Sequence, residues 1–280
     1  MRELLVSLLK KAAEQNFLIA ITASLASISP FVLYHHQINF ILSIEILFAT
    51  FFTYTVQRFF GGDSSLIELP LWKVALLVFS SIVIVVLAFF LSHTQVVLLT
   101  FAGILSLLYS FPAIPYQNQR RSLRQLPYLK IWVIIAVWLI VICLSPLSEL
   151  PAFESGDLFT SKMIFIIQQG AFIFALTIPF DIRDLKVDEP HQKTIPMIFG
   201  REKSIKLAKS AIWLSFFAAG VNFLLGFFDV EIVFIQLLIA LLGLRLLRRA
   251  KTVQSTEFYL VRIDGLIALQ AVLFLLSYFI

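Results

Sequence analysis

Three aspartates lie close together in the sequence, at a spacing that could serve metal or phosphate chemistry. Asp181, Asp184 and Asp188 stand at positions i, i+3 and i+7, which would place their side chains on one face of a helix. Three carboxylates on one stripe repel each other unless a cation neutralises them. Mg²⁺ prefers oxygen ligands and is often held by one or two carboxylates together with substrate phosphates. The spacing therefore indicates either a magnesium site for a phosphorylated ligand or a solvated acidic helix.

The composition indicates that the element before these aspartates lies in a membrane. Hydrophobic residues make up 60% of the chain and charged residues only 14%, whereas a soluble fold carries about 25% charge. Mean hydropathy is +0.93, so we expect an integral membrane protein with the lipid bilayer as its surroundings. Basic loops account for the net charge of +5, so no nucleic-acid partner is expected, and no protein partner is evident.

Nine apolar runs are long enough to span a bilayer, because a membrane helix needs about 17 to 25 such residues. They predict an all-α, polytopic fold in a single integral-membrane domain covering residues 1–280. The segment 181–210 is charged and contains Pro190 and Pro196, and we expect it to form a cytoplasmic cap over a site. The predicted spans are approximately 17–34, 38–60, 72–91, 94–111, 128–147, 163–180, 211–228, 230–247 and 258–280.

Basic residues alternate between the predicted loops and so indicate the orientation. They lie before the first span and in the second, fourth, sixth and eighth loops, while the odd-numbered loops have almost none. By the positive-inside rule, the N-terminus is expected in the cytoplasm and the C-terminus outside, as in a bacterial-type inner membrane. The aspartates would then lie on the cytoplasmic side.

The stretch that begins with the three aspartates resembles the second aspartate-rich motif of the UbiA superfamily of membrane prenyltransferases. The resemblance implies nine helices around a central lipid-lined cavity. It also implies transfer of an isoprenyl chain from a polyprenyl diphosphate to a small lipophilic, possibly aromatic, acceptor, with Mg²⁺ binding the diphosphate. The aspartates would be the catalytic metal ligands, and Lys193 would contact the diphosphate. The residues that carry the resemblance are Asp181, Asp184, Asp188, Lys193, Thr194, Ile195, Pro196 and Gly200.

The other aspartate-rich motif that this resemblance implies is degenerate. The family usually shows Asn-Asp-x-x-Asp-x-x-x-Asp at the end of the second helix. With Tyr54 placed on the asparagine, Thr55, Arg58 and Gly62 stand where acids are expected, and Asp63 follows one residue late. Half of the implied metal site is therefore missing.

Arg58 is the most informative replacement in that motif. A guanidinium inside an apolar run is costly and usually faces a cavity or a partner, and Tyr54 and Gln57 lie near it on the helix. These three residues are candidates for substrate binding. Arg58 could clamp the diphosphate in place of a metal ion, pair with one of the aspartates and close the site, or extend to the headgroups.

Two functions therefore stay open from the sequence. The first is Mg²⁺-dependent prenyl transfer, and the second is a non-catalytic protein of the same fold that binds an isoprenoid lipid. A transporter lacks support, because the chain shows no sign of paired interrupted helices in two matching halves.

Overall fold

The computed structural model describes residues 16–60, 70–116, 119–150 and 156–279, and within these ranges it contains nine apolar helices. Eight have the length and hydropathy of a membrane span, and the first, with 17 residues, is shorter. An integral membrane protein with an all-helical body is therefore confirmed. The helices are α1 Phe17–Leu33, α2 Phe40–Phe60, α3 Leu71–Ala88, α4 His93–Ser110, α5 Leu129–Leu147, α6 Gly156–Asp184, α7 Ile195–Leu224, α8 Val230–Arg249 and α9 Phe258–Ser277.

Eight of the helices close a ring, in which α1 packs against α2, α2 against α4, each helix from α4 onward against the next, and α9 against α1. The remaining helix, α3, packs against α2, and α1 also contacts α5. Side chains on the outside of the ring are apolar and exposed, as on α3, where Val78 is 55% and Val85 60% exposed. His35 and Asp229, in the connections after α1 and α7, lie 3.5 Å apart, so these two connections share one end of the bundle.

The sixth and seventh helices differ from the sequence prediction. The predicted spans 163–180 and 211–228 are parts of the longer α6 and α7, which have 29 and 30 residues. The predicted cap 181–210 therefore shrinks to residues 185–194, because its second part is helical. Pro196 lies in the first turn of α7, where proline costs no hydrogen bond. Gly200 interrupts this helix with a φ of 74°, a conformation that glycine adopts without strain.

The connection between α4 and α5 adds a small element that the all-α prediction omitted. Strands β1 (Ile114–Tyr116) and β2 (Gln119–Arg121) pair antiparallel, and a 3₁₀ turn at Leu123–Gln125 follows. Nη1 of Arg121 lies 3.1 Å from Oε2 of Glu189. The backbone N–H of Tyr128 donates to the Gln192 carbonyl at 2.9 Å. The hairpin, the 3₁₀ turn and residues 185–194 thus cover one end of the ring, and we call them the cap.

The contact between α7 and α8 depends on a glycine. A Cβ atom added to Gly243 would lie 3.1 Å from Cδ1 of Ile212, which is tighter than a normal packing contact. We expect Gly243→Val to lower the free energy of unfolding by about 1–3 kcal/mol through overpacking. Gly220→Val is the matched control, since nothing lies within 4 Å of its added Cβ. Thermal unfolding in detergent should separate the two variants, and equal midpoints would contradict this packing.

Candidate functional site beneath the cap

A cavity of about 610 Å³ lies inside the ring and extends to the cap residues Arg124 and Val187. Lys130 lies in the first turn of α5 and lines its charged end, while Val137 lines it about two turns further along the helix. Most of the remaining lining is apolar and includes Ile173, Leu176 and Ile267. The basic lining residues are Arg58, Arg124, Lys130 and Arg183, and the acidic ones are Asp181, Asp184 and Asp264.

The three aspartates lie together at the charged end, although one helix does not carry them all. Asp181 and Asp184 belong to the last turn of α6, which ends at Asp184. The backbone N–H groups of Val187 and Asp188 then both donate to the Asp184 carbonyl at 2.8 Å. This turn brings the carboxylate of Asp188 close to those of Asp181 and Asp184.

The ammonium of Lys130 lies between the three carboxylates. Its Nζ atom lies 3.1 Å from Oδ1 of Asp181, 3.2 Å from Oδ2 of Asp184 and 2.6 Å from Oδ2 of Asp188. The side chain of Lys130 is only 9% exposed, and a buried charge must be compensated by close partners. One ammonium therefore neutralises part of the charge of all three acids.

Asp181 differs from the other two aspartates in its hydrogen bonding. Lys130 donates hydrogen bonds to Asp184 and Asp188, whereas its contact with Asp181 has the distance of an ion pair without hydrogen-bond geometry. Both side-chain oxygens of Asp181 are buried; Oδ1 has the Lys130 ammonium at 3.1 Å, whereas Oδ2 lacks a hydrogen-bond donor among the described residues. Asp181 lines the cavity, so a donor group on a bound molecule could complete it.

Asp184 has a second basic partner, Arg183. Nε of Arg183 donates to Oδ1 of Asp184 at 2.7 Å, and Nη2 donates to Oδ2 at 3.3 Å. The guanidinium carbon lies 5.1 Å from the ring centroids of both Phe180 and Tyr259, within cation–π range. These contacts hold Arg183 in the lining of the cavity.

Three of the four predicted substrate-binding residues line the cavity, and the fourth does not. Tyr54, Gln57 and Arg58 all line the cavity, and Nε2 of Gln57 also donates to the Ser106 carbonyl at 2.6 Å. Lys193 does not line it, and its ammonium lies 5.5 Å from the centroid of the Tyr128 ring. That placement does not favour its predicted contact with a diphosphate.

The residues that replace acids in the degenerate motif make other contacts in the structure. Thr55 is buried and accepts a hydrogen bond from Nδ2 of Asn16 at 3.2 Å, so it joins α1 to α2. Arg58 lines the cavity, and Lys130 and Arg183 form ion pairs with the aspartates. Lys130 thus occupies the position among the acids that the sequence offered as one option for Arg58. Asp63 lies outside the described residues.

The arrangement does not fit a magnesium ion held by the three aspartates. Mg²⁺ requires oxygen ligands at about 2.0–2.1 Å in octahedral geometry. Here the carboxylates converge on the Lys130 ammonium, and an ion that bridged them would overlap it. Within the described ranges, no group of three or more His, Cys, Asp or Glu side chains is placed to hold a metal. The predicted role of Asp181, Asp184 and Asp188 as metal ligands is therefore not what this geometry provides.

Several residues at the site were not predicted from the sequence. Lys130 and Arg124 belong to the basic fourth loop of the sequence, and both line the cavity. Asp264 and Tyr109 both line the cavity. A lysine at the start of an apolar run normally extends to the headgroups, so its type and position alone do not indicate a site.

Comparison with known proteins identifies the fold. No family model matches the sequence, and no curated protein matches it. Among solved structures, one concerned with digeranylgeranylglyceryl phosphate synthase in membranes is 12% identical, with a TM-score of 0.60 over 99% of both chains. A UbiA homologue from Archaeoglobus fulgidus bound to Cd²⁺ is 16% identical, with a TM-score of 0.61 over 97% of this chain and 98% of its own.

The same homologue has been solved with GPP and Mg²⁺, and that structure is 13% identical, with a TM-score of 0.57. Identity this low supports likeness of fold, and the likeness covers nearly the whole chain. The fold implied by the aspartate motif is confirmed. The chain has the fold of the UbiA-type membrane prenyltransferases.

Proposed function

We propose that the protein transfers an isoprenyl group from an isoprenyl diphosphate to a small lipophilic acceptor within the membrane. The observation that carries this proposal is the division of the cavity into a charged end and an apolar interior. Its volume of about 610 Å³ falls within the range of small-molecule sites. A diphosphate would lie beside Arg58 and Arg124, and the hydrocarbon chain would extend along Val137 and Ile173.

The chemistry needs charge stabilisation and the exclusion of water. The bond between the allylic carbon and the diphosphate oxygen breaks, and the diphosphate leaves with the electron pair. A nucleophilic atom of the acceptor then bonds to that carbon and releases a proton. Guanidinium groups stabilise the negative charge on the leaving group, and the apolar interior keeps water from the cation.

Asp181 is our candidate for the group that takes this proton. It lines the cavity, and its Oδ2 atom has no hydrogen-bond donor in the described part of the chain. An acceptor hydroxyl could therefore donate to it. Asp184 and Asp188 would position Lys130 and so hold the charged end together.

The resemblance also implies Mg²⁺, which two structures of the Archaeoglobus homologue contain together with GPP or DMAPP. Because the aspartates here contact Lys130, the requirement for Mg²⁺ has to be measured in the assay. We further propose that the charged end faces the cytoplasm. Arg124, from the basic fourth loop, lies at that end, whereas His35 and Asp229 lie in odd-numbered connections that share one end of the bundle.

The test is an assay on the full chain in lipid nanodiscs. Isoprenyl diphosphates of increasing chain length and a panel of lipophilic acceptors are supplied with and without Mg²⁺. We expect a prenylated product by mass spectrometry, together with released diphosphate. Absence of both across the panel would contradict the transferase function.

A second function is favoured by one specific observation, the ammonium of Lys130 that fills the space between the three aspartates at 2.6–3.2 Å from their oxygens. It is binding of an isoprenoid phosphate without chemistry. Native mass spectrometry would then show a retained isoprenoid, and the same preparation would release no diphosphate. Any turnover would exclude this function.

The width of the apolar interior should control the length of the donor chain. Val137 lines the cavity, so we expect Val137→Trp to shorten the longest isoprenyl diphosphate that is used. The control is Val78→Trp, because Val78 lies on the outside of α3 with 55% exposure. The chain-length profile of each variant is the measurement. Identical profiles would mean that the hydrocarbon chain lies elsewhere.

A further inference from the structure

Lys130 occupies the position where a cation is needed at the charged end of the cavity. Its Nζ atom lies within 3.2 Å of one oxygen of each of the three aspartates. The side chain is buried, and Asp181 and Asp188 are buried with it. The lysine is therefore part of the built site and not a surface charge.

Arg124 and Arg58 are the basic side chains of the lining that would attract an anionic ligand. Four basic side chains line the cavity, and with Asp188 four acidic ones stand against them, so the charges balance overall and the attraction for an anion is local. Arg124 is exposed on the cap and lines the cavity. Arg58 replaces an acid of the degenerate motif. Guanidinium groups bind phosphate oxygens in a bidentate manner.

We propose that Lys130 is the permanent counter-cation of Asp181, Asp184 and Asp188, and that this chain binds the diphosphate of its isoprenoid ligand without a divalent ion. The proposal rests on the proposed function for the identity of the ligand. Arg124 and Arg58 provide the contacts to the diphosphate. Lys130 fills the space between the acids where a metal would bind and, with Arg183 at Asp184, balances two of their three negative charges.

The first experiment measures metal binding directly, without any ligand. Mn²⁺ is titrated into the full chain in nanodiscs of uncharged lipid, and bound Mn²⁺ is followed by electron paramagnetic resonance. We expect the wild-type protein to bind no more Mn²⁺ than Asp184→Asn does. A wild-type site that Asp184→Asn removes would overturn the proposal, and this comparison does not require any Lys130 variant to fold.

Variants of Lys130 test whether its positive charge excludes the metal. Lys130→Ala is expected to gain a Mn²⁺ site, which the added change Asp184→Asn should remove again. Lys130→Arg keeps the positive charge and is expected to gain none. A Mn²⁺ site in Lys130→Arg equal to that in Lys130→Ala would show that the charge at this position does not exclude the metal, against the proposal.

The second experiment measures ligand binding with geranyl diphosphate. We expect the same Kd in EDTA as in Mg²⁺, and a Kd about tenfold weaker for Arg124→Ala in both, as loss of a charged hydrogen bond predicts. Binding in Mg²⁺ alone would overturn metal-free recognition and leave the proposed function standing. Absence of binding in both conditions would contradict both.

Discussion

Replacement of Asp181 by asparagine is expected to lower the turnover of isoprenyl diphosphate by about 10²–10⁴-fold, the usual loss when a general base is removed. Asparagine keeps the size of the side chain but cannot take the acceptor proton. Asp181 is 1% exposed and lies on the cavity wall. Its Oδ1 atom pairs with Lys130, and its Oδ2 atom has no hydrogen-bond donor within the described ranges.

The measurement is the rate of product formation together with the Kd for the diphosphate. We expect the rate to fall far more than the affinity, because the hydrocarbon chain and the diphosphate keep their contacts. Asp229→Asn is the matched control, since Asp229 is exposed at the opposite end beside His35 and should leave the rate unchanged. Full activity in Asp181→Asn would show that another group takes the proton.

Replacement of Lys130 by methionine is expected to lower the free energy of unfolding by about 3–5 kcal/mol, the cost of leaving buried charges without their partner. Three carboxylates would lose the ammonium that lies 2.6–3.2 Å from them. Asp181 and Asp188 are both nearly inaccessible to water, so solvent could not replace that ammonium.

Thermal unfolding in detergent checks this expectation. Lys251→Met is the control, because Lys251 pairs with Glu202 at 2.9 Å with both side chains exposed, and it should change the midpoint little. Adding Asp184→Asn and Asp188→Asn to Lys130→Met should recover part of the lost stability, since the repelling charges are then fewer. If Lys130→Met and Lys251→Met unfold at the same temperature, the buried cluster does not contribute to stability.

The sequence predicts the membrane body well because the signal is long and repeated. Each apolar run has to be a helix in lipid, so the presence and order of the nine helices follow from hydropathy. Their ends do not. The apolar run 163–180 continues as a helix to Asp184, and α7 begins at Ile195 in a charged stretch, because helical hydrogen bonding does not depend on hydropathy.

The candidate site is predicted in part. Asp181, Asp184 and Asp188 are found by their spacing, and Arg58 by its charge within an apolar run. The sequence does not identify Lys130 as a site residue, because its partners Asp184 and Asp188 lie 54 and 58 residues away in the chain and no local pattern joins them. Lys193 is the opposite case, because its contact with the diphosphate stays a prediction. Its place in the motif suggests a role, yet its ammonium lies over the ring of Tyr128.

The contact between α9 and α1 has a consequence for how the protein is made in the membrane. The polar side chains of Thr22, Ser27 and Ser29 on α1 are buried, and α9 is one of the helices that pack against α1. During synthesis, α1 enters the bilayer long before α9 exists. Until then part of its surface faces lipid or a helper protein of the insertion machinery, so the ring and its cavity can close only after the ninth helix has been inserted.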